Sequence, residues 1–379
     1  MNKINQIKHR EALNHIEPYT PGKPLWEVQK ELGLTRVIKL ASNENPIGPS
    51  PIALESIANS LSGLNRYPDA HAVELKTAIA SNLSLTAEQL IVTNGADELI
   101  TLISETYLEP NDEIIVPSPS FSEYDFGAHL MGAKVVPVPL DHEYQFNLDM
   151  ILSAVTDRTK LVYICSPNNP TGTYLPKNML EKLLQSLPSH ILIVFDSAYS
   201  HFATKEDYTD GLEYVRSGYP IIVLQTFSKI YGLAGLRVGF GAAPESIIQS
   251  IVHVKEPFNV NSIAQVAATA AIGDQEHLEK SKKVNTEGRE QLYKACTELG
   301  LSFTESMSNF ILVHLGKNAK EIYQQLLASG VIVRYVDTWG LPEYIRISIG
   351  TLEENHILIE AISSILLKFQ LYNLKGEQK

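Results

Sequence analysis

The chain has 379 residues, of which 44% are hydrophobic and 20% are charged, and its formal net charge is −12. This length allows one large and one small domain, the composition excludes disorder, and the acidic surface argues against a nucleic-acid partner. The two cysteines have neither metal-ligand nor disulfide spacing, no apolar run approaches transmembrane length, and no secretory signal is present, so we expect a cytoplasmic protein without a metal site or a membrane partner.

The first 35 residues are polar and are interrupted by prolines. This composition predicts an arm that ends in a short helix near Leu25–Leu32. A short strand is predicted next, from Val37 to Leu40. It leads into the loop Ser42–Pro49, whose proline and glycine content favours a plain connector.

A candidate phosphate site follows the next apolar run. Leu90–Thr93 predicts a strand, and Ala96–Tyr107 predicts a helix with Leu99 and Ile103 on its apolar face. A glycine turn at Gly95 separates the two elements. Free backbone amides and the positive end of the dipole at such a helix start bind phosphate well. An ordinary strand–turn–helix unit explains the same residues equally well.

Apolar runs alternate with helical stretches through the middle of the chain. Because these runs are continuous, they predict strands buried on both faces, and their alternation with helices predicts a mostly parallel sheet. Ligands of such sheets lie beyond the carboxyl ends of the strands. Asn169, Asp196 and Lys229 each follow or close a predicted strand, so we expect them in one crevice. The predicted strands are Ile114–Pro117, Lys134–Val138, Leu161–Cys165, Leu192–Asp196 and Ile221–Thr226.

The stretch Gln225–Arg237 combines one lysine with hydroxyls, glycines and an arginine. Lys229 follows a buried strand, where an unpaired ammonium is costly and a desolvated amine becomes nucleophilic. The hydroxyls of Thr226 and Ser228 and the cation of Arg237 suit a phosphate monoester. A lysine beside a phosphate cradle is what pyridoxal 5'-phosphate (PLP) requires, and an ordinary loop lysine is the competing interpretation.

The last third of the chain predicts a smaller α+β domain. Residues from Ser262 to about Leu299 form one helical pattern, apolar first and then charged. Further strands are predicted at Asn309–Leu315, Val331–Tyr335 and Tyr344–Ile349.

Six ordered motifs resemble the fold-type-I PLP-dependent aminotransferases. Three of them are similar to the cofactor site of that group: the run from Asn169 to Gly172, Asp196 with Tyr199, and Ser228-Lys229 with Arg237. The other three resemble the histidinol-phosphate aminotransferase family within that group: Arg66-Tyr67-Pro68-Asp69, Asn94-Gly95-Ala96-Asp97-Glu98 and Ile345-Arg346-Ile347-Ser348. The match extends from about Tyr19 to Gly350.

The resemblance implies an α/β fold like that of aspartate aminotransferase. A large PLP-binding domain would contain a mostly parallel, seven-stranded sheet, and a smaller α+β domain would follow it. We place the N-terminal arm at residues 1–35, the large domain at 36–274 and the small domain at 275–379. The resemblance also places the Ser42–Pro49 loop beside the substrate.

The resemblance further implies a role for each residue in the crevice. Lys229 would hold the cofactor and, once displaced by the substrate amine, would move a proton. Asp196 would keep the pyridine nitrogen protonated, and hydrogen bonds from Tyr199 and Asn169 would stabilise the anion of the phenolic oxygen. Tyr124 would stack on the ring. The phosphate would be held by Gly95, Ala96, Asp97, Thr226, Ser228 and Arg237, together with Tyr67 of a second chain.

Simpler interpretations of these residues stay open. Asp196 could cap a loop after its strand, and Asn169 could serve only its turn. Tyr124 and Tyr67 could be packing aromatics. None of these alternatives explains why Lys229 is expected in the same crevice.

Arginines in the last predicted strands favour an anionic substrate. Arg346 is awkward in an apolar strand unless it faces an anion. The resemblance implies that Arg346, Arg334, Tyr19 and Asn169 bind the substrate, and that the enzyme is a homodimer with shared active sites. The implied reaction transfers the amino group of an amino donor, histidinol phosphate, to a 2-oxo acid, 2-oxoglutarate. Aromatic amino acids would be further donors.

Three other functions fit parts of the pattern. A threonine-phosphate decarboxylase is similar in sequence but expels the substrate carboxylate. A dedicated phenylalanine or tyrosine aminotransferase would use the same cofactor site. A non-catalytic domain of a regulator is disfavoured because the chain has no basic DNA-binding segment.

Overall fold

The fold is organised around a larger sheet of seven strands and a smaller sheet of three strands, and a third sheet has two strands. The computed structural model describes residues 7–16 and 24–376 of the chain. Its strands are β1 (Ile38–Lys39), β2 (Leu90–Thr93), β3 (Glu113–Ser118), β4 (Lys134–Pro139), β5 (Thr159–Cys165), β6 (Leu192–Asp196), β7 (Ile221–Thr226), β8 (Gly239–Ala242), β9 (Phe310–His314), β10 (Val331–Ile332), β11 (Arg334–Tyr335) and β12 (Tyr344–Ser348).

The helices cover both faces of the larger sheet and one side of the smaller. Among the described residues, none of them is both long and apolar enough to span a membrane. They are α1 (Leu25–Leu32), α2 (Pro51–Ser60), α3 (Val73–Leu83), α4 (Ala96–Tyr107), α5 (Glu123–Met131), α6 (Leu148–Ser153), α7 (Lys177–Ser186), α8 (Leu212–Arg216), α9 (Glu245–Val252), α10 (Ser262–Ile272), α11 (Gln275–Glu298), α12 (Ala319–Ala328) and α13 (Leu352–Gly376).

The larger sheet has seven strands in the order β2-β8-β7-β6-β5-β3-β4. The neighbours from β4 to β7 pair in parallel, whereas β8 runs antiparallel to both β7 and β2. The expected mostly parallel, seven-stranded sheet is therefore confirmed. Strand β8 was not predicted, because Gly239 and Gly241 weaken its strand pattern. The glycines are needed there: a Cβ at Gly239 would lie 2.7 Å from the backbone nitrogen of Ala96.

Apolar side chains cover both faces of this sheet. Along β6, Ile193 and Phe195 pack in a core with α2, α3, α7 and α10, while Leu192 and Val194 pack in a core with α4, α5 and α9. Successive residues of a strand point to opposite faces, so a doubly covered sheet requires a continuous apolar run. The carboxyl ends of β5 and β6 lie side by side, with Cys165 paired to Asp196.

The smaller sheet is antiparallel, in the order β11-β12-β9. The single strand predicted over Val331–Tyr335 is wrong, because β10 pairs in parallel with β1 while β11 pairs with β12. Ile38 and Leu40 consequently pack in the core of the smaller sheet. The proposed domain boundaries stay predictions.

The helical pattern predicted from Ser262 to about Leu299 is confirmed, and it consists of two helices. They separate between α10 and α11, where the Asp274 side chain accepts a hydrogen bond from the backbone N–H of His277 at 3.0 Å. An aspartate in this position is a good N-cap, so it favours a new helix start over continuation.

Candidate active site

A cavity of about 870 Å³ lies between the two sheets, at the carboxyl ends of β5, β6 and β7. Loops after these strands and the start of α4 form one side, and β11 and β12 form the other. The structure therefore brings together predicted residues from distant parts of the chain. Those lining the cavity are Ala96, Asp97, Asn169, Asp196, Tyr199, Thr226, Ser228, Lys229, Arg237, Arg334 and Arg346.

Lys229 is half-buried in the loop that follows β7. Its Nζ donates a hydrogen bond to the backbone oxygen of Ser42 at 3.2 Å and lies 5.7 Å from the centre of the Tyr199 ring. Burial lowers the pKa of the Lys229 amine to about 8, and the cation of Arg346 contributes to the same shift. The neutral, nucleophilic amine is therefore far more populated near neutral pH than in an exposed lysine.

Asp196 closes β6 and is buried beneath the cavity. One carboxylate oxygen accepts from the Tyr124 hydroxyl at 2.7 Å, and the other accepts from the backbone N–H of Ala198 at 3.1 Å. Burial raises the pKa of Asp196, while these two hydrogen bonds oppose the shift. The carboxylate is held in one orientation, as a partner for a cationic ring nitrogen requires.

The stacking role predicted for Tyr124 is wrong. Its side chain is fully buried, its ring stacks on Tyr163 with centroids 4.5 Å apart, and it does not line the cavity. The Tyr124 hydroxyl instead orients Asp196. Phe121 is half-buried on the cavity wall, and its position suits a ring-stacking side chain better. Phe121 could have been considered from the sequence, because it is also aromatic and lies only three residues before Tyr124.

The predicted pair Tyr199 and Asn169 both line the cavity. The Tyr199 hydroxyl accepts from the side-chain amide of Asn43 at 3.0 Å, and burial raises its pKa. Asn169 accepts a hydrogen bond from the guanidinium of Arg346 through Oδ1. Asn43 was not singled out from the sequence, because a single asparagine in a connecting loop carries no distinguishing pattern.

Three residues of the predicted phosphate cradle, Gly95, Asp97 and Arg237, lie close together at the start of α4. Gly95 precedes the helix with φ at 86°, and a Cβ there would lie 2.5 Å from the Arg237 guanidinium. Arg237 has a left-handed backbone, with φ at 56°, and its guanidinium donates to the Asp97 carboxylate at 3.2 Å. The hydroxyl of Thr226 accepts from the backbone N–H of Ser228 at 3.0 Å.

These donors fit PLP. Free amides at the start of α4, the hydroxyl of Ser228 and the cation of Arg237 suit its phosphate. The carboxylate of Asp196 suits its pyridine nitrogen, and the amine of Lys229 suits its aldehyde. Glycine at position 95 leaves the space that a side chain would fill beside Arg237.

Two arginines from the smaller sheet face this cradle across the cavity. Arg346 is buried, donates to the backbone oxygen of Ala41 at 2.7 Å and lies 5.2 Å from the Phe310 ring. Arg334 and Arg346 lie 5.4 and 5.7 Å from the Trp339 ring, distances at which cation–π attraction operates. Trp339 was missed from the sequence, because its short loop carries no recognisable motif.

The remaining predicted residues lie elsewhere. Tyr67 is 83% exposed, stacks on Phe258 with centroids 4.9 Å apart, and does not line the cavity of its own chain. Tyr19 lies outside the described residues.

A family model described as aminotransferase class I and II matches residues 35–362. The chain belongs to this family. A histidinol-phosphate aminotransferase from Moorella thermoacetica is 47% identical over 360 residues, which are 95% of this chain and 93% of the relative. The relative from Caldicellulosiruptor saccharolyticus with the same name is 42% identical over 94% of this chain and 99% of its own.

A solved structure extends the similarity to the whole fold. Histidinol-phosphate aminotransferase from Sinorhizobium meliloti, in complex with pyridoxal-5'-phosphate, superposes with a TM-score of 0.86 at 25% identity, covering 94% of this chain and 98% of that one. This aminotransferase therefore has the fold-type-I architecture, and PLP is its cofactor. The Lys229 amine and the phosphate cradle occur in a chain whose family performs PLP chemistry.

Proposed function

We propose that this aminotransferase exchanges the amino group between histidinol phosphate and 2-oxoglutarate. The observation that carries the proposal is the pair Arg334 and Arg346 on the cavity wall opposite the cofactor cradle. A substrate with an amine at one end and an anion at the other would span from Lys229 to this pair. The names of the relatives with 42–47% identity support the same substrate.

Each step of the chemistry would fall to a residue already placed. Bound PLP supplies a protonated ring that withdraws electrons from the substrate carbon. Lys229, with its lowered pKa, would take a proton from that carbon and return it. Asp196, oriented by Tyr124, would keep the pyridine nitrogen protonated, and Tyr199 would donate to the phenolic oxygen.

The distal anion would be bound by the two arginines. The guanidinium of arginine binds phosphate and carboxylate in bidentate fashion and keeps its charge when buried. The same pair would bind the two carboxylates of glutamate, one arginine to each, and glutamate is the product formed from 2-oxoglutarate. The overall charge of −12 contrasts with these local cations, so the attraction of an anionic substrate would be specific to the cavity.

We also propose activity toward aromatic amino acids. Aromatic side chains line the same cavity as the arginines, among them Phe121, Tyr323 and Trp339. An uncharged aromatic ring would pack against them while the α-carboxylate binds Arg346. This activity would be the weaker one, because the uncharged ring has no anion to offer to Arg334.

We further propose a cytoplasmic homodimer with shared active sites. Tyr67 projects from the surface, and exposed apolar side chains surround the same part of the chain. Such a patch marks a protein interface. The apolar residues are Ile52, Leu61, Leu64, Val73 and Phe258. Cys165 and Cys296 are free and buried, which is typical of a reducing compartment.

A half-reaction screen tests the substrate. Histidinol phosphate, phenylalanine, tyrosine and threonine phosphate are added separately to the holoenzyme, and the change in cofactor absorbance is followed. We expect the largest rate per concentration for histidinol phosphate and a lower rate for the aromatic amino acids. Release of carbon dioxide from threonine phosphate would instead favour the decarboxylase. A preference for phenylalanine over histidinol phosphate would favour a dedicated aromatic aminotransferase.

A further inference from the structure

Asn43 joins the two sheets at the cavity. It lies on the loop after β1, is 1% exposed and has a left-handed backbone with φ at 56°. Its Nδ2 donates to the Tyr199 hydroxyl at 3.0 Å, and its Oδ1 accepts from the Ser348 hydroxyl at 2.9 Å. Because Tyr199 follows β6 and Ser348 belongs to β12, a single side-chain amide spans from one sheet to the other.

The orientation of this amide follows from the hydrogen bonds of Ser348. The backbone N–H of Asn43 donates to the Ser348 oxygen at 2.8 Å, so the proton of that hydroxyl is the group that reaches Oδ1. The opposite amide orientation would present a second donor to Ser348 and leave its buried proton without this acceptor, which is unfavourable. Nδ2 therefore faces Tyr199. The Tyr199 oxygen accepts a hydrogen bond there and keeps its own proton for another partner.

The loop is also bound to the strand that carries the substrate arginine. The backbone N–H of Ser348 donates to the oxygen of Leu40 at 2.9 Å, and Arg346 donates to the oxygen of Ala41 at 2.7 Å. Asn43 follows these residues directly. Its position relative to Tyr199 consequently depends on where β12 lies.

We propose that Asn43 is a positioning residue, which holds Tyr199 as a hydrogen-bond acceptor so that the tyrosine proton is donated to the phenolic oxygen of bound PLP. The inference deepens the proposed function, because it rests on the role of Tyr199 in that proposal. A donor at the phenolic oxygen stabilises its anion and lowers the pH at which the absorbance of the bound cofactor changes. Asn43 thereby links the strand of Arg346 to the electronic state of the cofactor.

The test is a pH titration of cofactor absorbance in the Asn43→Gly holoenzyme. Glycine accepts the left-handed backbone and removes only the amide. Loss of one oriented hydrogen bond should raise the titration midpoint by about 0.4 to 1 pH unit. Tyr199→Phe should raise it at least as far. Adding Asn43→Gly to Tyr199→Phe should give no further rise, because the two residues act through one hydroxyl.

Two more variants make the result decisive. Asn43→Asp keeps the shape of the side chain, but its carboxylate would accept the Tyr199 proton, so the midpoint should rise as far as in Tyr199→Phe. Asn45→Ala is the matched control: this amide of the same loop donates to Ile230 and Ser281 rather than to Tyr199, so the midpoint should not move.

Circular dichroism and thermal unfolding establish which variants are folded. An unchanged midpoint in folded Asn43→Gly and Asn43→Asp overturns the proposal, as does an equal shift with and without the Tyr199 hydroxyl. An unchanged midpoint in Tyr199→Phe overturns the role of Tyr199 and this inference with it. Because the titration needs no turnover, these outcomes are independent of whether histidinol phosphate is the substrate.

Discussion

Arg334 and Arg346 are direct cross-strand partners in the antiparallel pair β11–β12. Directly opposed residues of such a pair project on the same face of the sheet. Two like charges in this arrangement disfavour folding unless other groups compensate them. The nearby ring of Trp339 supplies part of the compensation, and an anionic ligand would supply more. The pair is therefore suited to binding an anion.

The arginine pair predicts different substrate effects for its two members. Arg334→Ala should lower kcat/KM for histidinol phosphate and glutamate by about 30- to 150-fold, the equivalent of roughly 2 to 3 kcal/mol, because each carries the distal anion. Phenylalanine should lose much less. Arg346→Ala should lower kcat/KM for all three. Steady-state kinetics measure this, with Arg216→Ala, remote from the cavity, as the control. Equal losses for phenylalanine and histidinol phosphate in Arg334→Ala would assign the distal anion to another residue.

Lys229→Ala should separate cofactor binding from turnover. The phosphate cradle should still bind PLP, but the proton transfers that depend on the amine should slow by at least about 10³-fold. Absorbance of the dialysed protein reports retention of PLP, and a coupled assay for glutamate reports turnover. Lys205→Ala, which removes an exposed lysine, is the control. If Lys229→Ala turned over as fast as the unmodified enzyme, Lys229 would not be the amine that transfers the proton.

The lowered pKa of Lys229 predicts a pH profile for cofactor capture. Only the neutral amine attacks the aldehyde of PLP, and burial lowers the pKa of Lys229 from 10.5 to about 8. The rate of covalent capture by the apoenzyme should therefore rise with pH below about 8 and level off above it. A free lysine side chain should continue to gain reactivity up to a pH of about 10. Stopped-flow absorbance measures both, and a rate that still rises steeply at pH 9.5 would contradict the shifted pKa.

Tyr67→Phe tests the shared active site. If the hydroxyl reaches the phosphate of a partner's cofactor, its loss should weaken PLP retention by about 10- to 150-fold, the equivalent of one hydrogen bond to a charged group at roughly 1.5 to 3 kcal/mol. The fold and the thermal unfolding of the apoenzyme should not change, because Tyr67 is 83% exposed in its own chain. Equilibrium dialysis measures retention, and Tyr219→Phe is the control. Unaltered PLP affinity in a dimeric variant would argue against sharing.

Most of the fold was predictable because its signals are local. Continuous apolar runs marked β5, β6 and β7, and the glycine at position 95 marked the start of α4. Local patterns failed where packing overrides them. Strand β8 contains two glycines that α4 requires for close approach, and residues 331–335 divide between two sheets although no turn residue interrupts them.

The sequence predicted those site residues that lie at or just after the carboxyl end of a strand. The aromatic assignment failed, because Phe121 lies just before α5 and Tyr124 lies in its first turn, and which of them faces the cavity depends on how α5 packs. Tyr124 turned inward to Tyr163 and Asp196. Trp339 and Asn43 could not be recognised, because their importance comes from neighbours that are remote in the chain.

By itself, the sequence determined the order of the elements and the gathering of Asn169, Asp196 and Lys229 at one edge of a parallel sheet, since periodicity and turn residues act between neighbours in the chain. Only the tertiary structure decided that Arg334 faces Arg346 and that Asn43 connects Tyr199 with β12. These contacts depend on how two separately encoded sheets approach each other. That approach is set by the packing of their cores, which local sequence patterns do not specify.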